Sequence, residues 1–175
     1  MKKILIVVDM QNDFIDGSLG TAEAVAIVDN VVDKIINFDG EIIVTQDTHF
    51  ENYLQTAEGG RLPVEHCIKG THGWQVNDKI VKALSEYDNI HYVEKLTFGS
   101  VDLPGLIKEI VDDDDFSIEL VGLCTDICVV SNALLLKANY PEKTITVDSS
   151  CCAGVTPESH KMALNTMTMC QIEIK

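Results

Sequence analysis

The chain has 175 residues, 46% of them apolar, which suits one domain (taken as 1–175) with a substantial core and excludes a disordered segment. Its formal charge of −15 argues against nucleic acid and against an anionic membrane surface as partners, because phosphates would be repelled. The longest apolar run, near Val129 to Ala138, is broken by Ser131, Asn132 and Lys137 and falls short of a membrane span.

The N-terminus enters a strand directly, with no secretory signal pattern, which points to a cytoplasmic chain. Six cysteines (67, 124, 128, 151, 152 and 170) without a Cys-x-x-Cys pair are then expected as reduced thiols rather than a disulfide framework or zinc knuckle.

In chain order, Lys3 to Val8 is a continuous apolar run, read as a strand buried on both faces and ending at Asp9. A polar loop with Gln11, Asn12, Asp13, Phe14 and Gly17 follows. From Thr21 to Phe38, Ala24, Val25, Val28, Val31, Val32, Ile35 and Ile36 recur at helical spacing. Glu41 to Thr45 is a second buried strand, running into Gln46-Asp47-Thr48-His49. The stretch from Phe50 to Gly73 has no period but carries several Gly, His and Glu residues, and such a long irregular segment in a compact domain is usually functional.

Val76 to Tyr87 reads as a helix with Ile80, Val81, Leu84 and Tyr87 on one face, and Ile90 to Val93 as a third strand ending at Glu94-Lys95. A short helix from Leu103 to Val111 starts at Asp102 and Pro104, and Asp112 to Asp115 makes a solvated acidic turn. Phe116 to Val121 is a fourth strand and Asp126 to Asn139 a fourth helix. Thr144 to Val147 is a fifth strand. Thr156-Pro157-Glu158 starts a last helix with Ala163, Leu164 and Met167 inward, and Gln171 to Ile174 closes as a sixth strand. Strands alternating with helices in this way predict a three-layer α/β/α fold with a six-stranded parallel sheet.

The ends of four strands carry Asp9, Asp47 with His49, Lys95 and, one turn further, Cys128. In a parallel sheet these ends share one rim, where such folds keep their ligands. A cysteine, a carboxylate and a lysine can run acyl transfer: Cys128 attacks, Lys95 stabilises the thiolate, and Asp9 moves the proton. Cys128 would sit in the first turn of a helix, whose N–H groups and dipole favour a thiolate. Cys124, ahead of that turn, is the rival nucleophile. Backbone N–H groups near Cys124 and Cys128 could hold an oxyanion.

Asp47 and His49, with Glu58 and His66 beyond them, form an oxygen- and nitrogen-rich set suited to Zn²⁺, with Mn²⁺ or Fe²⁺ as alternatives. Glu51, Glu65 and His72 compete for the same role, as does a merely solvated loop. A redox or ligand-binding α/β protein using Cys151-Cys152 and Cys124/Cys128 is the reading from another class.

The segments Asp9-Met10-Gln11-Asn12-Asp13-Phe14, Asp47-Thr48-His49, Glu94-Lys95, Gly122-Leu123-Cys124-Thr125-Asp126-Ile127-Cys128-Val129 and Cys152-Ala153-Gly154-Val155-Thr156 resemble the isochorismatase-like cysteine hydrolases over nearly the whole chain. That resemblance implies an Asp–Lys–Cys triad at Asp9, Lys95 and Cys128. It also implies a cis Leu123–Cys124 peptide and an oxyanion hole from the Cys124 and Cys128 N–H groups. Within the superfamily the ligand pattern is similar to that of nicotinamidases, which implies metal ligands Asp47, His49, Glu58 and His66, hydrolysis of nicotinamide, and Phe14 packing on its ring.

Isochorismatases and carbamoylsarcosine-type amidases generally lack those ligands. An aromatic residue that nicotinamidases carry before the last ligand is replaced here by Leu62-Pro63-Val64-Glu65, so that wall is expected either to be missing or to be supplied by Tyr53 or Phe98. One of Cys151 and Cys152 is expected to line the pocket without acting in catalysis. Buried sheet edges and helix faces suggest a homo-oligomer by analogy.

Overall fold

A computed structural model describes residues 1–112 and 114–175. Six strands form one sheet in the order β3-β2-β1-β4-β5-β6: β1 (Lys2–Val8), β2 (Glu41–Asp47), β3 (Ile90–Lys95), β4 (Phe116–Leu123), β5 (Ile145–Ala153) and β6 (Glu173–Ile174). Every neighbouring pair is parallel. The helices are α1 (Asn12–Ile15), α2 (Ala22–Ile36), α3 (Asp78–Leu84), α4 (Leu103–Val111), α5 (Val130–Asn139) and α6 (Pro157–Met169).

Two cores flank the sheet because alternate strand residues face opposite sides. Leu5, Val7, Val44 and Val121 pack with α2 and α3; Ile4, Ile6, Val8 and Leu120 pack with α4, α5 and α6. The expected three-layer parallel architecture is therefore present, and the strand order reverses between β1 and β4. That switch point opens a crevice at the carboxyl ends of the strands, and Asp9 and the turn bearing Cys128 flank it.

Several boundaries differ from the sequence reading. In α2 the inward residues are Ala24, Ile27, Val28, Val31 and Ile35, while Val25 and Ile36 are exposed. The helix expected over 76–87 is only α3, because Val76 bridges to Gln11 and Asn77 caps the helix by accepting the Lys79 N–H. Its inner face is Ile80, Ala83 and Leu84, with Val81 exposed. Strand β5 runs on to Ala153, past a register shift opposite Leu120 and Gly122. The last helix starts as expected, with a Thr156–Ser159 capping box and Pro157 in its first turn.

In the acidic turn, Asp112 closes α4 in a left-handed conformation, and Asp114 and Asp115 pair with Lys2 and Lys143. Asp113 lies outside the described residues. No helix is long and apolar enough to cross a membrane among the described residues.

Gly122 explains how close the crevice walls come. It sits opposite Val8 at φ 116°, and a Cβ there would lie 2.1 Å from the Val8 carbonyl oxygen. Only glycine combines that conformation with that approach.

Candidate active site

The rim anticipated from the strand ends is assembled. Asp9 stands immediately after β1 at φ 47°, a left-handed conformation that turns the chain out of the sheet. Its backbone N–H and its carboxylate are both tied to Thr45 of β2, whose hydroxyl donates to Asp9 Oδ1 at 2.6 Å. Lys95, at the end of β3, reaches across with its ammonium 2.7 Å from Asp9 Oδ2, 3.0 Å from Asp47 Oδ1 and 3.2 Å from Cys128 Sγ. All four side chains are buried, and Asp9 Oδ2, although beside Lys95, has no hydrogen bond of good geometry. Its free lone pair is available to a proton.

Cys128 is carried on a π-helical turn, Thr125–Val129, that leads into α5. π-turns are rare and concentrate at functional sites. The Leu123–Cys124 peptide ahead of it is cis. The Cys124 carbonyl accepts from the Ile127 and Val129 N–H groups, whereas the Cys124 N–H has no acceptor among the described residues. That donor is free for a developing oxyanion.

One expectation about the nucleophile is corrected. Burial first, and then the Asp9 charge, push the Cys128 thiol well above the ordinary cysteine range, against the opposing pull of Lys95. A helix start is worth only ~0.3–1 kcal/mol to an anion, which does not offset complete burial beside a carboxylate. Burial and the Asp9 charge both favour the thiol over the thiolate. Burial also raises Asp9, with Asp47 adding to the rise and Lys95 opposing it, which makes Asp9 a better proton acceptor than a free carboxylate. Burial alone would lower Lys95, but Asp9 first and then Cys128 and Asp47 outweigh it, so the ammonium stays charged.

The second constellation also converges. His49 Nε2 lies 3.0 Å from Asp47 Oδ2 and 3.6 Å from Glu58 Oε1; His66 Nε2 lies 3.7 Å from each of the same two atoms. Asp47, His49 and His66 offer donor atoms all within 4.8 Å of one another. His66 Nδ1 is 2.8 Å from the Val64 carbonyl, which takes the ring proton and leaves Nε2 as a lone pair facing the cluster. His49 Nε2 is buried with no hydrogen-bond partner. Orphaned nitrogen, carboxylate and imidazole donors together fit a borderline divalent ion. Glu58, partly exposed, lies at the rim beside this cluster. Of the competing residues, Glu51, Glu65 and His72 are exposed and belong to no such cluster.

The two constellations share a residue. Asp47 turns Oδ1 to Lys95 and Oδ2 to His49. Gln11 holds it there, accepting the Asp47 N–H at 2.8 Å and donating to the Asp47 carbonyl at 2.9 Å. Asp13 braces the ligand loop by accepting the Cys67 N–H at 2.8 Å. Thr45, Gln11 and Asp13 carry no chemistry of their own, and no spacing rule singles out these supports.

A pocket of about 530 Å³ opens over both groups, with Cys124, Cys128, Asp47 and His66 at its base, Glu58 at its rim, and Phe14, Leu62, Leu96, Thr97 and Phe98 among its walls. Phe14 and Phe98 both line the pocket. Tyr53 does not: it is fully buried behind the cluster, its ring 4.6 Å from His49 and 5.0 Å from His66, its hydroxyl donating to the Leu62 carbonyl. Its aromatic bulk fixes the imidazoles rather than walling the pocket. Neither Cys151 nor Cys152 lines it; both are buried in β5. All six cysteines are free thiols, and Lys95 faces Cys128, which speaks against the redox reading.

Residues 3–174 match the isochorismatase domain. The chain belongs to the isochorismatase family, and the family makes it a hydrolase. It is 28% identical over 174 residues to the isochorismatase family protein PncA of Bacillus subtilis, covering 94% of this chain and 93% of that one. To the nicotinamidase/pyrazinamidase of Mycobacterium tuberculosis it is 25% identical over 183 residues, covering 98% and 97%. The crystal structure of nicotinamidase/pyrazinamidase PncA from Bacillus subtilis superposes with a TM-score of 0.84 at 26% identity, covering 99% of each chain. Pyrococcus horikoshii pyrazinamidase, solved in complex with zinc, has the same fold (TM-score 0.84, 24% identity, covering 100% of this chain and 99% of that one).

Proposed function

We propose that the protein is a metal-containing cysteine amidase that hydrolyses nicotinamide to nicotinate and ammonia. The observation that carries this reading is a pocket lined by Cys128, with Lys95 and Asp9 buried behind it, and by Asp47 and His66 of the Asp47–His49–His66 cluster. The relatives named nicotinamidase/pyrazinamidase support it.

Asp9 takes the thiol proton as Cys128 Sγ bonds to the carboxamide carbon, so charge separation occurs only when the electrophile is in place. The oxygen of the tetrahedral adduct sits against the Cys124 and Cys128 N–H groups. Lys95 remains charged throughout and offsets the negative charge that passes between Sγ and Asp9. Asp9 then returns its proton to the departing ammonia, leaving a thioester on Cys128. Asp9 next takes a proton from water, hydroxide adds to the thioester, and the proton returns to Cys128 as nicotinic acid leaves and loses its carboxyl proton to solvent, giving nicotinate. Phe14 and Phe98 offer apolar surface to the ring. A divalent ion, Zn²⁺ by donor set with Mn²⁺ or Fe²⁺ as alternatives, would be held by Asp47, His49 and His66 with Glu58, and when bound supplies a Lewis-acid anchor for the ring nitrogen.

Ammonia release from nicotinamide, measured with and without a chelator, tests the reading. Release that chelator suppresses supports it. No release by the metal-loaded protein overturns the substrate, and release indifferent to chelator overturns the anchoring role. One observation favours a second substrate within the family: Leu62 and Leu96 give the pocket an aliphatic, open rim. A different small amide turned over faster than nicotinamide would carry that reading.

A further inference from the structure

We propose that Asn132 is a positioning residue that locks the turn carrying Cys128 to the pocket wall carrying Phe98, so that nucleophile and substrate surface keep one mutual arrangement. Asn132 lies in the first turn of α5, fully buried, and uses its side chain completely. Its Nδ2 donates to the Cys128 carbonyl at 2.8 Å and to the Phe98 carbonyl at 3.2 Å, and its Oδ1 accepts the Ser100 N–H at 2.8 Å. Two carbonyls and one amide N–H require two donors and one acceptor on a short planar group, which is what a carboxamide offers. Aspartate could only accept, and an aliphatic residue could do neither.

The wall has little else to hold it. Residues 96–102, between β3 and α4, form no helix or strand, and Leu96, Phe98 and Val101 are exposed. The other hydrogen bonds found within this wall are local, from Thr97 Oγ1 to the Gly99 carbonyl, from the Leu103 N–H to the Ser100 carbonyl and from the Leu106 N–H to the Asp102 carbonyl. Among the described residues, Asn132 alone bonds this segment to the rest of the molecule across the pocket. Gly99 permits the approach: a Cβ there would come 3.1 Å from the Ser131 carbonyl oxygen. On the other side, the carbonyl that Asn132 holds belongs to the nucleophile itself. A displacement of about 1 Å between reacting groups costs on the order of 10²-fold in rate, so a single side chain bonded to both partners is placed to control it.

The inference rests on the amidase reading for its kinetic consequence but not for its structural one, and the two are tested separately. With metal-loaded full-length protein, Asn132→Ala and Asn132→Asp are expected to raise KM for nicotinamide and lower kcat, together reducing kcat/KM by roughly tenfold to a hundredfold. The aspartate keeps an acceptor for Ser100 but loses both donations. A merely structural role would lower the melting temperature and leave kcat and KM of the folded fraction unchanged, which overturns the proposal.

Amide hydrogen exchange supplies the arm that needs no turnover. In either variant, segments 97–101 and 125–129 should lose protection together while the β1–β4 ladder keeps it; loss in one segment alone overturns the coupling. If neither variant folds, native-state exchange on the wild-type chain decides: the Ser100 and Val129 amides should open with one denaturant dependence, and independent openings sink the idea. Wild-type protein that releases no ammonia from nicotinamide defeats the amidase reading and leaves the exchange test standing.

Discussion

The floor of the pocket and its rim are built on different principles. The floor (Cys128 and Asp47, with Asp9 and Lys95 buried directly behind them) stands on strand ends and a helical turn, is buried, and is cross-tied by Thr45 and Gln11. The rim (Glu58, Leu62, Leu96 and Phe98) stands on loops and is half-exposed or exposed. In the proposed amidase, chemistry that must not shift is anchored in the sheet, whereas the surfaces that choose a substrate hang from segments with few ties. Damage to the floor should therefore remove turnover or stability, and damage to the rim should change affinity while the protein stays folded.

Cys128→Ala is the severest break. Turnover should fall by at least roughly 10⁴-fold with the circular dichroism spectrum and melting transition preserved, since loss of the nucleophile removes the covalent route. Substantial residual activity would take Cys128 out of that role. Lys95→Ala breaks the floor in another way. It leaves Asp9 and Asp47 buried beside each other without their cation, a loss of about 3–5 kcal/mol on breaking such a pair. Urea unfolding should show that loss, and a variant as stable as the parent would mean that the ammonium does not hold the floor together.

Rim and floor should separate on metal content. His49→Ala and His66→Ala should empty the cluster, while Glu58→Gln should retain an ion, more weakly held, as read by elemental analysis after dialysis. Equal loss from all three would place Glu58 with the buried ligands.

The floor also sets a pH signature. Asp9 must be ionised to accept the thiol proton, and burial raises its pKa above the ordinary carboxylate value. As pH falls through that raised pKa, kcat/KM should drop, so the acid limb lies above the usual carboxylate range. A limb within that range would contradict the assignment. The smallest effect belongs to Tyr53→Phe, which removes the bond to the Leu62 carbonyl and should cost about 1 kcal/mol in stability. Nicotinamide KM should scarcely move, because Tyr53 does not reach the pocket.

The same division explains what could be read from the chain. Apolar strand runs stop visibly, and the residues at which they stop, Asp9, Asp47 and Lys95, are ionisable. Their shared rim follows from parallel topology alone. The irregular stretch from Phe50 to Gly73 has no period, so nothing in it says which way an aromatic points, and Tyr53 turns its ring to the imidazoles rather than to the pocket.

Asn132 and Thr45 were illegible for another reason. They are polar residues inside apolar elements, and only their tertiary partners distinguish a brace from a tolerated impurity. The protonation state of Cys128 depends on a burial and a neighbour that arrive from three strands at once. The helix-start argument saw only the local contribution.

Asp47 has a consequence for anyone wishing to redesign this protein. Its carboxylate is common property, one oxygen committed to Lys95 and the other to the imidazole cluster. The two centres are therefore not interchangeable modules. A version stripped of its ion-binding residues would also withdraw half of the anionic company kept by Lys95, and would need a substitute counter-charge before its thiol chemistry could be judged. Transplanting Asp9, Lys95 and Cys128 into another scaffold without a partner for Asp47 would import an incomplete circuit.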